Sequence, residues 1–308
     1  MTVEEKQTPI DAQPATGSGI APELLRAVVK IASSATNHSP NAVGTGFVVS
    51  CEGVWKTKEQ RLAFLITNKH IIGDWTLADG NILERRRYLE VTFYGPIGGA
   101  FTPVTIPLLG QDGNPLPNRL LLAEDNKVDL AAIFLNEIPV PRNLSLATDS
   151  FDTSYLLPFS KIQSWFVGLG DQVFALGYPY GIALAKTSYP IAKAGYLATV
   201  PGQEFSMDLP CESRNGEQRT VRLEGRLLVI DGLIVPGNSG GPVVVPSDLK
   251  VRRDPDTKQL QFATEQRRNF VIGVVSTAIG SSGLTLVYGC DYVLELVGRF
   301  AHELEDTM

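Results

Sequence analysis

The chain has 308 residues, of which 44% are hydrophobic, and its formal net charge is −6. Such a chain can bury a large core, whereas its negative charge disfavours a nucleic-acid partner because no broad positive field is available. No run of about 18 apolar residues occurs, so we expect no membrane span. The three scattered cysteines and three histidines, with no Cys-x-x-Cys pair, predict a reducing, cytoplasmic setting and neither a metal nor another cofactor.

The first twenty residues differ in composition from the rest of the chain. Residues 1–20 contain Pro, Thr and Glu and lack an apolar stretch, so we predict a disordered tail that is not a signal peptide. The remainder carries many short β-branched runs between 29 glycines and 20 prolines. That pattern is typical of an all-β body.

His70 is the strongest candidate for a general base. It ends an apolar run that predicts a buried strand reaching a polar edge, and such a strand end holds a side chain rigidly. His38 lies in a polar, turn-like run, and His302 lies on the flank of an amphipathic C-terminal helix. Until an acid is identified, a hydrogen-bonded core histidine remains the alternative for His70.

Asp129 is the best candidate for that acid. It opens a strongly apolar run and therefore lies at the mouth of another predicted strand. A buried carboxylate needs hydrogen-bond donors, and an imidazole N–H is a suitable one. Glu124 and Asp125 belong to a polar segment, and Asp171 belongs to a turn, so none of the three competes well.

Two insertions follow residue 200. Asn215-Gly216 lies between two strand-like stretches, which predicts a two-residue turn and a projecting β-ribbon. Residues 251–268 are charged and predict a solvated loop. The sequence does not indicate a role for either insertion, 201–225 or 246–268.

Residues 237–242, Gly-Asn-Ser-Gly-Gly-Pro, are the most informative stretch of the chain. A serine hydroxyl is a poor nucleophile unless a base takes its proton and donors stabilise the resulting oxyanion. The flanking glycines allow a turn in which the amides of Gly237 and Ser239 face one small space, as an oxyanion hole requires. A tight turn between two strands is the alternative.

The same residues also fit the Gly-x-Ser-x-Gly nucleophile elbow of another hydrolase class. The elbow needs a helix directly after the serine and a histidine later in the chain. Here residues 242–246 form a predicted short strand with a proline at each end, and the only later histidine is His302. The order His70, Asp129, Ser239 therefore excludes the elbow.

Six motifs in this order resemble those of the chymotrypsin-like serine peptidases and, within them, of the HtrA-type bacterial branch. They are Gly-Thr-Gly-Phe at 44–47, the run 65–70 that ends in His70, Asp-Leu-Ala at 129–131, Ala-Leu-Gly-Tyr-Pro-Tyr-Gly at 175–181, the nucleophile loop 236–242 with Asp231 before it, and the strand 273–278. The resemblance covers roughly residues 25–300.

The resemblance implies an all-β, chymotrypsin-like fold of two six-stranded antiparallel Greek-key barrels with a C-terminal helix. Residues 21–140 are expected to form the N-terminal barrel, which carries the histidine and the aspartate. Residues 141–167 are expected to link it to the C-terminal barrel, residues 168–308, which carries the serine and the helix.

The function implied by the resemblance is a serine endopeptidase that acts on protein or peptide substrates without a cofactor, through an acyl-enzyme. His70 would take the proton from Ser239, Asp129 would orient His70, and the amides of Gly237 and Ser239 would form the oxyanion hole. The implied substrate pocket consists of Leu233 as its floor with Ile234, Val235, Ser276, Thr277 and Ala278. This apolar lining predicts cleavage after small or medium aliphatic residues.

The chain departs from the family in two respects. Only 69 residues (308 minus 239) follow Ser239, so we expect no PDZ domain after the peptidase domain. Asn238 stands where secreted relatives have an aspartate that pairs with a freed N-terminus, so activation by N-terminal clipping is not expected. A catalytically silent peptidase fold that serves as a peptide-binding or scaffold module is the alternative function, and any regulatory partner remains unknown.

Overall fold

The structure is a computed structural model that describes residues 20–34, 42–93, 103–140, 145–146, 149–165, 167–182, 189–232, 234–246, 251–253, 260–262 and 269–306. The predicted tail lies outside these ranges except for its last residue, Ile20, which is buried in the core. The predicted pocket floor, Leu233, also lies outside them.

The described strands of the N-terminal half and of the linker number ten, and eight of them form one large sheet. The ten strands are β1 (Val28–Ser33), β2 (Ala42–Trp55), β3 (Lys58–Thr67), β4 (Gly73–Trp75), β5 (Ile82–Arg85), β6 (Tyr88–Thr92), β7 (Val104–Pro107), β8 (Leu120–Leu122), β9 (Ala131–Phe134) and β10 (Phe151–Asp152). In the described part of the chain the sheet has eight strands in the order β7-β6-β1-β2-β3-β9-β8, with β10 beside β2, while β4 and β5 form a separate hairpin.

This sheet differs from the predicted six-stranded barrel because it has seven strands along one path and because β10 joins it from the predicted linker. β1 pairs only with residues 42–47 of β2, which has 14 residues. The same edge of β2 is therefore open at Val49 and Ser50, where β10 adds in parallel. Phe47, Phe64 and other fully buried side chains fill the core beneath the sheet.

The C-terminal half forms a closed six-stranded barrel. Its strands are β11 (Gln172–Gly177), β12 (Ile191–Leu197), β15 (Leu227–Asp231), β16 (Pro242–Val245), β19 (Phe270–Ala278) and β20 (Leu284–Gly289), in the order β11-β12-β15-β20-β19-β16. Alternate residues point inward along each strand, as along β15, where Leu228 and Ile230 join one core cluster. The predicted fold class is confirmed: the chain is mostly β, with a closed six-stranded barrel and a C-terminal helix.

Two small ribbons lie between the barrel strands. β13 (Phe205–Glu212) and β14 (Gln218–Gly225) form the first, which we call the ribbon, and β17 (Val251–Arg253) and β18 (Leu260–Phe262) form the second. The second falls within the insertion that the sequence predicts to be a loop. The turn of the ribbon is also longer than predicted, because the last pair is Glu212 with Gln218.

The register of the ribbon explains this longer turn. Leu209 pairs with Val221, whereas the predicted two-residue turn would have placed Leu209 opposite Arg222. Since a shift of one residue moves a strand's side chains to the opposite face, the observed register keeps both apolar side chains on the buried face. Gly216, at φ 82°, provides the left-handed conformation in this turn.

Four α-helices occur in the described residues. They are α1 (Pro22–Arg26), α2 (Lys69–Ile72), α3 (Phe159–Ile162) and α4 (Cys290–Asp306). The amphipathic α4 was predicted, and its buried face reaches the N-terminal sheet, where the ring of Phe300 lies 5.4 Å from that of Phe64. Among the described residues, no helix combines the length and the apolar character that crossing a bilayer requires.

Candidate active site

His70 and Asp129 meet because their strands are paired. β3 and β9 are antiparallel, with Thr67 opposite Ala131. His70 lies three residues beyond Thr67, and Asp129 lies two residues before Ala131, so the two side chains leave the same end of this strand pair. The distance from His70 Nδ1 to Asp129 Oδ2 is 2.6 Å, and the His70 amide donates to Asp129 Oδ1 at 3.2 Å.

The surroundings of this pair determine the state of the imidazole. The Asp129 side chain is 2% exposed, whereas that of His70 is 32% exposed. Burial by itself lowers the pKa of His70, but the charge of Asp129 and its hydrogen bond outweigh burial, so the pKa is raised above its ordinary value. An Nδ1–H that donates to the carboxylate leaves Nε2 as the acceptor, which is the arrangement that a general base needs.

The nucleophile loop lies against two segments that require its glycines. At Gly237, where φ is +99°, an added Cβ would lie 2.3 Å from the carbonyl oxygen of Tyr178. At Gly240, where φ is +85°, it would lie 2.2 Å from the carbonyl oxygen of Thr45. Both the backbone conformation and the close backbone contacts therefore exclude a side chain at these positions.

Hydrogen bonds hold the peptide planes around Gly237. The carbonyl oxygen of Pro236 accepts from the Tyr180 amide at 2.7 Å, and that of Gly237 accepts from the Thr45 hydroxyl at 2.6 Å. Since N–H and C=O point in opposite directions in a trans peptide, the Gly237 amide points away from Tyr180. In the described part of the chain, the amides of Gly237 and Ser239 donate to no protein acceptor, and their use as an oxyanion hole stays a prediction.

The hydroxyl of Ser239 does not donate to His70. It donates to the carbonyl oxygen of Ser276 at 3.2 Å, although Ser239, His70 and Asp129 line one cavity of about 530 Å³. For Ser239 to act as a nucleophile with His70 as base, its side chain would have to rotate toward His70 Nε2. Catalytic hydrogen bonds are often absent or long until substrate binds.

The cavity brings together only part of the predicted substrate pocket. Ser276, Thr277 and Ala278 line it beside Ser239. Ile234 instead lies in the core of the C-terminal barrel and is 8% exposed, and Val235 is half-buried outside the lining. The lining also includes residues that the sequence did not predict, namely Trp75, Thr76, Leu77, Leu209, Pro210 and Cys211.

Two residues that support the candidate triad were also missed. Asn68 donates from Nδ2 to the carbonyl oxygen of Asp129 at 2.6 Å, and Thr45 contacts the nucleophile loop. The only indication of their importance in the sequence was that they lie inside the motifs 44–47 and 65–70. Motif membership alone did not indicate which side chain faces the site.

Comparisons with known proteins concern the fold. No protein-family model matches the chain, and no curated protein matches it. Among solved structures, the active form of the Rv3671c protease from M. tuberculosis is 18% identical, with a TM-score of 0.47 over 90% of this chain and 82% of that one. A serine endoprotease from Yersinia pestis is 16% identical, with a TM-score of 0.44 over 91% and 64%. The HtrA-type protease AlgW with a decapeptide is 15% identical, with a TM-score of 0.43 over 91% and 66%.

Proposed function

We propose that the chain is a serine endopeptidase with Ser239 as nucleophile, His70 as general base and Asp129 as the residue that orients it. The observation that carries this proposal is the His70–Asp129 contact of 2.6 Å within the cavity that Ser239 lines. The turn at Gly237 adds the second requirement, because it leaves two amides without a protein acceptor next to the hydroxyl.

The reaction proceeds through an acyl-enzyme. The Ser239 oxygen attacks the substrate carbonyl while its proton passes to His70 Nε2, and the developing oxyanion accepts from the amides of Gly237 and Ser239. Asp129 stabilises the resulting imidazolium, which then protonates the leaving amine. Water attacks the acyl-enzyme in the second half, with His70 again as base, and releases Ser239.

The end of β19 is suited to hold an extended peptide beside the nucleophile. On the side away from β20, β19 pairs with β16 only as far as Val274, so in the described part of the chain Ser276 and Thr277 have no strand partner on that edge. A substrate strand can hydrogen-bond to such an open edge, which positions its carbonyl against Ser239. Cleavage after small or medium aliphatic residues, with Leu233 as the pocket floor, remains part of this proposal.

One observation favours the second candidate function, a catalytically silent peptide-binding module. The Ser239 hydroxyl bonds to Ser276 instead of His70. A silent module would keep the open edge and the cavity without moving this proton.

A fluorophosphonate probe separates the two functions, because it reacts with an activated serine and leaves an inert one unlabelled. We expect labelling of the wild type, none of Ser239→Ala, and slow labelling of His70→Ala. Ser154→Ala is the matched control, since Ser154 is exposed and outside the cavity lining. An unlabelled wild type that still binds peptides would identify the silent module.

A further inference from the structure

The turn of the ribbon reaches from the C-terminal half onto the hairpin that follows His70. The side chain of Arg214 lies in this turn and is 22% exposed. It donates from Nη2 to the carbonyl oxygen of Asp74 at 2.7 Å and to that of Asn81, and from Nη1 to the Asn81 side chain at 3.1 Å. Both terminal nitrogens of the guanidinium group therefore donate hydrogen bonds to one segment of the N-terminal half.

Carboxylates complete this contact. Arg214 Nε lies 3.4 Å from Asp74 Oδ2, and the Arg214 amide donates to Asp79 Oδ2 at 3.1 Å. The Asp74 and Asp79 side chains are only 11% and 19% exposed. A partly buried, multidentate arrangement of this kind holds its geometry far better than an exposed ion pair does.

The segment that Arg214 contacts is part of the candidate active site. It consists of β4, β5 and the turn between them, residues 73–85, and it begins one residue after α2, which carries His70. Trp75 and Leu77 of this segment line the cavity that contains Ser239. Arg214 thus joins the ribbon directly to a wall of that cavity.

The ribbon itself forms the adjoining part of the wall. Leu209, Pro210 and Cys211 line the cavity, and Leu209 is buried against the core with its neighbour Leu223. A second bond, from Lys127 Nζ to the carbonyl oxygen of Arg222 at 3.0 Å, ties the other strand to the segment before Asp129. The ribbon therefore contacts both the segment that follows His70 and the segment that precedes Asp129.

We propose that Arg214 is a positioning residue that latches the ribbon as the outer wall of the candidate active site, and that this wall selects peptides with an apolar side chain next to the scissile bond. We call the contacts of Arg214 with residues 73–85 the latch. The substrate part of this inference rests on the proposed peptidase function, whereas the latch does not.

The chemistry of the cavity specifies the apolar side chain. Trp75, Leu77, Leu209, Pro210, Ile279 and Leu286 contribute to its lining. No lysine, arginine or glutamate lines it in the described part of the chain, and the one lining carboxylate, that of Asp129, is engaged by His70. A charged substrate side chain would lose its hydration there without a counter-ion, whereas an aliphatic one would bury apolar surface against this lining.

The latch is tested by comparing Arg214→Gln with Arg222→Gln. Arg222 lies on the same ribbon, but its side-chain partners, Asp208, Glu224 and Ser206, all belong to the ribbon. We expect hydrogen exchange in residues 205–225 and 73–85 to speed up by about tenfold or more in Arg214→Gln and to stay unchanged in Arg222→Gln. Equal exchange in the two variants would overturn the latch.

A second variant guards against a folding defect of the first. Asp74→Asn removes only the carboxylate charge 3.4 Å from Arg214 Nε and leaves the bonds of Arg214 to the Asp74 and Asn81 carbonyls, so it should speed up exchange in the same segments by less than Arg214→Gln does. The double variant Arg214→Gln/Asp74→Asn should exchange no faster than Arg214→Gln alone, because both changes remove one shared contact.

Selection is measured as kcat/KM on peptides that carry leucine, aspartate or lysine at each position next to the cut. The wild type and Arg222→Gln should favour leucine at one position by about tenfold or more, and Arg214→Gln should lose most of this preference while its serine is still labelled. An unchanged ratio in Arg214→Gln would overturn selection by the ribbon.

The two proposals fail separately. If the wild type neither cleaves peptides nor reacts with a fluorophosphonate, the peptidase function is wrong. Fluorescence anisotropy of the same labelled peptides then measures selection as binding. Loss of the leucine preference in Arg214→Gln supports the ribbon wall, and equal binding by all three proteins contradicts it.

Discussion

The hydroxyl of Thr45 in β2 donates a 2.6 Å hydrogen bond to the carbonyl oxygen of Gly237 in the nucleophile loop. Its backbone amide also donates to the carbonyl oxygen of Ser239 at 2.9 Å, and its hydroxyl accepts from the Tyr178 amide at 3.0 Å. One fully buried residue of the N-terminal half therefore contacts both residues whose amides are proposed to form the oxyanion hole, Gly237 through its hydroxyl and Ser239 through its backbone amide.

Thr45→Val keeps the shape of this side chain and removes its hydroxyl. The Gly237 carbonyl and the Tyr178 amide then lose a partner while buried, which should lower the free energy of unfolding by about 1–3 kcal/mol. We also expect kcat to fall by about tenfold or more at nearly constant KM, because the oxyanion amides lose their orientation.

Thr45→Ser and Thr199→Val are the controls for this prediction. Serine restores the hydroxyl and should recover most of kcat. Thr199 accepts from the Val229 amide at 3.1 Å, so its replacement tests loss of a threonine hydroxyl elsewhere. If Thr199→Val lowers kcat as much as Thr45→Val does at equal loss of stability, Thr45 has only a structural role.

The triad itself is tested by a double variant. Ser239→Ala and His70→Ala should each lower kcat by several orders of magnitude, and the double variant should be little worse than either, since the two residues act as one unit. Single-turnover rates on a fluorogenic peptide measure this. Losses that add in the double variant would show that Ser239 and His70 act independently.

The pH dependence of the rate follows from the raised pKa of His70. Only the neutral imidazole accepts a proton, so kcat/KM should fall as the pH drops through this raised pKa, which lies above the ordinary value of about 6.5. In Asp129→Asn the carboxylate that raises the pKa is gone. The acid limb should therefore move to lower pH, while the plateau falls by roughly 10⁴, as in the general triad template.

The same interaction has the opposite effect on stability. A raised pKa in the folded state means that the charged pair stabilises the protein below the ordinary pKa of histidine, and this contribution is lost as the pH rises through the raised pKa. Subtracting the unfolding curves of Asp129→Asn from those of the wild type isolates it. For the kinetic prediction, a kcat/KM that stays constant down to pH 5 would argue against a histidine base.

The parts of the site that lie at strand ends could be predicted from the sequence, because apolar periodicity shows where a strand stops. His70 and Asp129 were selected as candidates in this way, and Ser239 was selected from the glycines that its turn requires. The latch could not be predicted, since Arg214 and Asp74 are 140 positions apart and their contact depends on the register of the ribbon. A hairpin signal fixes a turn to within about a residue, which was enough to misplace Leu209 opposite Arg222.

Domain limits and the cytoplasmic setting remain predictions. The structure does not support the assignment of Ile234 to the substrate pocket, because that side chain is in the barrel core. An apolar residue close to the nucleophile in sequence can point either into the core or into a cleft, and its type does not distinguish the two. The position of Trp75 in the cavity lining was not predicted, because nothing in its own segment of the sequence indicates that it lies beside the ribbon.

Lys69, the residue before His70, supplies a prediction about stability alone. Its side chain is buried, and its ammonium donates a single described hydrogen bond, to the carbonyl oxygen of Asp125 at 3.0 Å. Burial lowers its pKa to about 8, against the opposing effect of Asp129 and Asp125. Because the unfolded chain keeps an ordinary lysine pKa of about 10.4, the charged ammonium destabilises the folded state at neutral pH.

Lys69→Met should therefore raise the free energy of unfolding at pH 7, and this gain should shrink as the pH rises from about 8 to about 10.5, where the wild-type lysine becomes neutral in both states. Urea unfolding at several pH values measures the difference between the two proteins, in which other titrating groups cancel. Lys58→Met is the matched control, because Lys58 is exposed on β3 and should show no such trend. A gain that stays constant with pH would mean that Lys69 is unfavourable through its packing and not through its charge.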